Sequence, residues 1–202
     1  MFEAMKTNIL LSGLLVCLLA LTGCKDATEK AASPSAAAPT TAVSISAIAA
    51  EAKGFTVGSA MSVRTVYVFF DPQCPHCGVL WNEAKPLKAQ AKFVWIPVGL
   101  LNASSTPQGA AILAAPDPAA AMDAHEASLR DKSGGITATG DLSAQKAAVE
   151  ANTRLMNRFQ FSGVPTVVAK HAVTGDLVVK DGSMPTAVLA AVLGLQQPAP
   201  GN

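Results

Sequence analysis

The sequence predicts an α/β domain in which a strand–helix–strand half and a strand–strand–helix half flank a helical insertion. Three observations carry that expectation. A hydrophobic run, Val66-Tyr67-Val68-Phe69-Phe70, leads into Cys74-Pro75-His76-Cys77 and then into a stretch with Val79, Leu80, Ala84 and Leu87 at roughly helical spacing. A second apolar run, Lys92 to Val98, follows. Strand, helix, strand in that order argues for a right-handed unit with parallel strands. Later, Val164–Ala169 and Leu177–Lys180 are joined through the turn Thr174-Gly175-Asp176, which reads as a hairpin.

From Ser44 onward roughly 150 residues remain, enough for one domain with a proper core. Ser44–Lys53 is expected as a short helix with Ile45 and Ile48 on one face, and Phe55–Gly58 as a short edge strand. Arg64–Phe70 is the first strand and Cys77–Ala91 the first long helix, kinked at Pro86, where a backbone N–H is missing. The insertion, over about 105–160, contains candidate helices Gln108–Ala115, Pro118–Arg130 and Leu142–Phe159, with a Gly-rich break before the last. Ile112, Leu113, Met122 and Leu129 are the residues expected to pack these helices together. Met184–Leu193 is the closing helix, so the domain spans 44–195, and 196–202 reads as a loose tail.

The Cys-x-x-Cys pair is where a dithiol becomes a redox catalyst. Cys74 falls at a helix N-terminus, where unpaired N–H groups and the dipole stabilise a thiolate. Pro75 suits the first helical position, since it needs no N–H partner there. His76 can be cationic and add to that stabilisation. A lowered thiol pKa favours the reduced form and makes the disulfide the more oxidising species. Cys74 is thus the expected nucleophile and Cys77, one turn further in, the resolving thiol.

The first residues read as an address. Ile9 to Leu21 is an apolar run preceded by Lys6, too short to span a bilayer and suited to a signal-peptide core. It ends in Leu21-Thr22-Gly23-Cys24, which looks like the lipobox of bacterial lipoproteins. That resemblance implies cleavage after residue 23 and lipid on Cys24; the charges before the core, Met5-Lys6-Thr7-Asn8 against Met1-Phe2-Glu3, make Met5 the expected start. Residues 24–43 are rich in Ala, Ser, Thr and Pro and read as a disordered tether, reaching roughly 25 Å. Of the four cysteines, Cys17 leaves with the signal and Cys24 is lipidated, so Cys74 and Cys77 remain as thiols. That leaves no second pair for a zinc site and places the dithiol in an oxidising compartment. With 15 Lys+Arg against 14 Asp+Glu, nothing points to nucleic acid.

With these residues in view, the chain from about Val57 to Gly194 resembles the exported Dsb thiol–disulfide proteins of the thioredoxin fold. It is most similar to the catalytic domain of DsbG and DsbC. The resemblance rests on Phe70-Asp71-Pro72-x-Cys74-Pro75-x-Cys77, Trp95-Ile96-Pro97-Val98-Gly99, Gly109-Ala110-Ala111-Ile112-Leu113-Ala114-Ala115-x-Asp117-Pro118 and Gly163-Val164-Pro165-Thr166. It implies a cis Pro165, with the Val164–Pro165 peptide beside the sulfurs and holding substrate backbone. It also implies protein substrates with cysteines in the periplasm, no cofactor beyond the Cys74–Cys77 disulfide, and a membrane redox partner of DsbD type. Two departures stand out. There is no room before the domain for the dimerisation domain of DsbC and DsbG, so a monomer is expected, anchored to a membrane through Cys24. Pro75-His76 and Val164 match the oxidase DsbA, whose partner would be of DsbB type. Lys25 after the lipidated cysteine favours outer-membrane sorting.

Other residues carry less. His125 and His171 are expected at the surface, and Trp81 and Trp95 in the core or near the site. Asp71 either assists proton movement or ends the strand and helps cap the helix. Met61, Met122, Met156 and Met184 are scattered and form no copper cluster. A reductase or isomerase of protein disulfides or oxidised cysteines (sulfenic acids) is thus the first expectation and a dithiol oxidase the second. A chaperone or metal-handling lipoprotein is the expectation from another class.

Overall fold

A computed structural model describes residues 42–198. The expected signal (1–23), Cys24, the tether up to residue 41 and the tail from 199 lie outside the described residues. The described part opens with α1 (Ile45–Glu51), capped by the Ser44 hydroxyl, which accepts the Ala47 N–H at 3.2 Å. Val43 packs beside it against the core.

The sheet has five strands in the order β1-β3-β2-β4-β5. β1 (Phe55–Gly58) pairs antiparallel with β3 (Lys92–Pro97), which lies parallel to β2 (Thr65–Phe70) in the register Val68↔Trp95. β4 (Thr166–Lys170) runs antiparallel to β2 and to the outer β5 (Leu177–Asp181). β2 is therefore central and buried on both faces, which is why it reads as a continuous apolar run with no alternation.

Between β2 and β3 stands α2 (Pro75–Ala84), followed by a tight 3-10 turn at Lys85–Leu87. The long kinked helix expected over Cys77–Ala91 is thus shorter and begins two residues earlier. Pro86 lacks the N–H that an α-helical turn requires, so the α-helix stops before it. Val79 faces solvent, while Cys77, Leu80, Trp81 and Ala84 are the buried face.

The insertion is α3 (Ser105–Ala114), α4 (Pro118–Arg130) and α5 (Ser143–Arg158). α4 has its expected bounds because Asp117 caps it and Pro118 opens it. Ile112 and Met122 are fully buried, whereas Leu129 is only half-buried. The last helix, α6 (Thr186–Leu193), ends at Gly194 in the left-handed conformation.

Two apolar clusters cover the two faces of the sheet. One gathers Phe55, Phe70, Trp81 and Trp95 with α2 and α6, the ring centroids of Trp81 and Trp95 lying 4.9 Å apart. The other places Ile48, Phe69, Leu155 and Phe159 on the opposite face. The buried Asn152 amide satisfies itself completely, accepting the Lys53 N–H and donating to the carbonyls of Lys53 and Pro97. At the C-terminal end Gln196 is held by two hydrogen bonds to Gln90, each 2.8 Å.

Candidate active site

β2 ends at Phe70 and hands the chain to a loop that must deliver Cys74 to the start of α2. Asp71 fixes that loop. Its carboxylate is buried and accepts N–H groups from Gln73 at 2.8 Å, Leu100 at 2.7 Å and Leu101 at 2.9 Å. Both oxygens are occupied by backbone donors. The residue therefore joins the loops after β2 and β3, and of its two expected roles the structural one is what these contacts support.

His125 is a correction. Expected at the surface, it is fully buried beneath the same loop. Its Nδ1 accepts the Ile136 N–H at 3.0 Å, which leaves Nε2–H to donate to the Pro72 carbonyl at 2.7 Å. Burial holds this imidazole below its usual pKa and so keeps it neutral. A second strut runs from the Gln73 side chain to Gln108, which in turn donates to the Gly134 carbonyl at 2.7 Å. The loop is thereby held from the insertion as well as from the sheet.

Cys74 is the N-cap residue of α2 and Pro75 its first helical residue. Both cysteines are free thiols. Cys74 stands at the helix N-terminus as expected, but only 4% of it is exposed, because the Val164–Pro165 loop lies against it. Its Sγ is 3.5 Å from the Val164 carbonyl oxygen, and the Val164–Pro165 peptide is cis, as the resemblance implied. Pro165 therefore stands before β4 and not within the strand that was expected to begin at Val164. Pro75 and His76 form the exposed rim.

The two thiols have opposite acidities. The hydrogen bond from the Cys77 thiol, aided by the backbone N–H groups of Cys77 and His76 and by the His76 charge, lowers Cys74 to about 6. Cys77 is fully buried; desolvation, and then the proximity of Cys74, push its thiol up. The arrangement gives one acidic thiol covered by the Val164–Pro165 loop and one protonated thiol deeper in the fold.

The loop carrying Pro165 is supported from β5. The Thr166 hydroxyl divides its proton between the Gly163 carbonyl, 2.6 Å away, and the Asp181 carboxylate, 2.7 Å away. Gly182 N–H donates to the Pro165 carbonyl at 2.8 Å. Trp81 lies in the core below the site and donates to Asp123 at 2.7 Å, while Trp95 stacks edge-on behind it. His171 is remote from the sulfurs, packing under Gly194.

One residue of the neighbourhood escaped the sequence reading. Glu126 of α4 is buried against α2, facing Gly78, where any Cβ would run into its carboxylate. A signal existed: Met122, His125, Glu126 and Leu129 are spaced i, i+3, i+4, i+7, a stripe that puts both polar residues on the apolar face. Among the described residues no group of three or more His, Cys, Asp or Glu is placed to hold a metal ion.

No family model matches the chain. Among curated proteins, the thiol:disulfide interchange protein DsbG of Pseudomonas aeruginosa is 30% identical over 143 residues, 68% of this chain and 54% of that protein. The chain is a Dsb-like protein of the thioredoxin fold. Solved structures agree on that fold. Pseudomonas aeruginosa DsbA2 aligns with a TM-score of 0.57 at 18% identity, covering 70% of this chain and 95% of that one. The catalytic domain of Proteus mirabilis ScsC aligns at 0.55 and 17%, covering 74% and 96%. This Dsb-like chain spans about half the length of the curated DsbG it matches.

Proposed function

We propose that the chain is a thiol–disulfide oxidoreductase acting on exported proteins through Cys74 and Cys77. The carrying observation is the split between the thiols: Cys74 ionises at about 6 at the helix start, while its buried partner keeps its proton. In the reducing direction, the Cys74 thiolate attacks a substrate disulfide and expels one substrate thiolate. Cys77 then gives up its proton and attacks the Cys74 sulfur, releasing the second substrate thiol and leaving the Cys74–Cys77 disulfide. In the isomerising variant, a substrate thiol resolves the mixed disulfide instead and the dithiol is regenerated. The Val164–Pro165 loop would hold the substrate backbone beside the sulfur.

The curated relative's name, thiol:disulfide interchange protein DsbG, supports the reductase or isomerase reading. A DsbD-type membrane reductant is the partner that reading calls for. The acidity of Cys74 favours a second reading. A stabilised thiolate makes the disulfide strongly oxidising, as a DsbA-like donor served by a DsbB-type oxidant requires. A periplasmic location, anchored through Cys24, rests on the sequence alone. Among the described residues no helix is long and apolar enough to cross a membrane.

The test is the redox state of the pair in growing cells, read by acid quench, alkylation with a bulky maleimide and gel mobility. A reduced pair supports the reductase or isomerase, and an oxidised pair the oxidase. Cys74→Ser should abolish electron transfer; activity that survives it would point to a chaperone and sink the enzyme reading.

A further inference from the structure

Beside the Cys-x-x-Cys helix lies an open groove of ≈350 Å³ between α2 and α4, lined by Gln73, Pro75, Gly78, Val79, Asn82 and Glu126, among others. Glu126 is 6% exposed, and its Oε1 is fully buried with no hydrogen-bond partner among the described residues. A buried carboxylate with an unpaired oxygen is unfavourable unless it carries a proton or does a task. The charged groups that face it are few. Lys85, from the turn after α2, is engaged with Asp123 at 2.6 Å; Arg130 stands one turn along α4; and the Cys74 thiolate is the neighbouring anion. The absence of a side chain at Gly78 is what allows α4 to bring the carboxylate this close to the helix that carries the dithiol.

We propose that Glu126 is the proton partner of the dithiol, taking up a proton when the disulfide is reduced and returning it when the disulfide re-forms. The buried site then carries one negative charge in both redox states. Oxidised, the charge is the Glu126 carboxylate; reduced, it is the Cys74 thiolate beside a neutral Glu126. Two anions together in a low-dielectric site would oppose each other, and moving one proton avoids that. The balance is complete. A disulfide, a Glu126 carboxylate and two substrate thiols become a Cys74 thiolate, a Cys77 thiol, a Glu126 carboxylic acid and a substrate disulfide. Two electrons pass to the protein sulfurs, one proton goes to Cys77 and one to Glu126.

The order of titration agrees with this. Cys74 loses its proton at about 6, and Glu126, held up by burial and then by the thiolate, at about 7. Between those values the reduced site is thiolate plus carboxylic acid. By linkage, removing the thiolate's charge in the disulfide must release the carboxyl proton more readily. Glu126 thus acts through Cys74 and is a positioning residue in the electrostatic sense.

The inference rests on the thiol–disulfide reading, and the experiment separates the two. Wild type and Glu126→Gln are equilibrated with glutathione buffers from about pH 6 to 8, and the fraction reduced is measured. A one-proton reduction changes the equilibrium constant about tenfold per pH unit. Because glutathione is itself a two-proton couple, wild type, which takes up a second proton on Glu126, should change less steeply than that around Glu126's titration, and the Gln variant should keep the tenfold slope. The wild-type protein gives an independent readout. Its reduced-minus-oxidised infrared spectrum near neutral pH should gain the C=O stretch of a protonated carboxylic acid. That band should vanish in Glu126→Gln. Superimposable slopes, or no carboxylic band on reduction, would overturn the proposal while leaving thiol exchange intact. Failure of the wild-type protein to exchange with glutathione would overturn both readings.

Discussion

Replacing Cys77 by alanine should return Cys74 part of the way to an ordinary thiol. Cys74 stands at about 6 in place of 9.0, and the largest cause is the hydrogen bond from the Cys77 thiol. A hydrogen bond to a charged group is worth about 1.5–3 kcal/mol, and a pKa unit corresponds to about 1.36 kcal/mol. Cys77→Ala should therefore raise Cys74 by about one to two units, to between about 7 and 8. At pH 7 the thiolate fraction would fall from about nine-tenths to between about a half and a tenth. Cys77→Ser retains a hydroxyl donor at the same place and should stay close to wild type. The thiolate's ultraviolet absorbance as a function of pH reads the value directly, and the rate of iodoacetamide alkylation should follow the same curve. An alanine variant that still titrates at about 6 would refute the reasoning. It would assign the acidity to the helix N-terminus and His76.

Further outcomes follow from the same contacts. The folded Cys74 pKa lies below its unfolded value of 9.0, so the unfolded chain binds more protons between about 6 and 9. The reduced protein should gain stability with rising pH across that window and lose it as pH falls toward 6, as measured by denaturant titration with reductant present. His125 is held below its usual 6.5 in the fold, so stability should also fall as pH drops below about 6.5. His125→Phe should remove that component; an unchanged acid limb would show that the imidazole does not titrate in this range. Asp71→Asn puts an amide where three backbone N–H groups now find a carboxylate, and should lower stability by about 1–3 kcal/mol. Gly78→Ala drives a methyl group into the Glu126 carboxylate and should cost about 1–3 kcal/mol, visible as a lower Tm.

The elements were legible wherever a local rule governs them. α4 has its expected bounds because Asp117 and Pro118 act on their own helix, and β1 appears as read from Phe55 to Gly58. The dithiol was legible because strand, Cys-x-x-Cys and helix are contiguous, so Cys74 falls at a helix N-terminus whatever surrounds it. The α2 boundary was misplaced where two local rules compete: apolar spacing continues through Leu87, but Pro86 cannot supply its N–H. Val79 fits the apolar count yet is about half exposed, because it lines the open groove between α2 and α4.

The sequence by itself determined the chemistry available: two thiols at fixed spacing, a helix start to acidify the first, and a Gly-Val-Pro-Thr segment to meet it. These follow from covalent order and backbone geometry, which act over a few residues. Tertiary structure decided how that chemistry is held and tuned. Cys74 and Val164 are 90 residues apart in the chain but within hydrogen-bonding reach. His125 supports Pro72 from 53 residues away. Glu126 reaches Gly78 only because α4 docks on α2. Burial and charge proximity depend on which helix packs where, and a pKa follows the surroundings and not the residue type. The insertion therefore looked like helical filler in one dimension. In three it supplies the imidazole that holds the loop and the carboxylate that faces the catalytic helix.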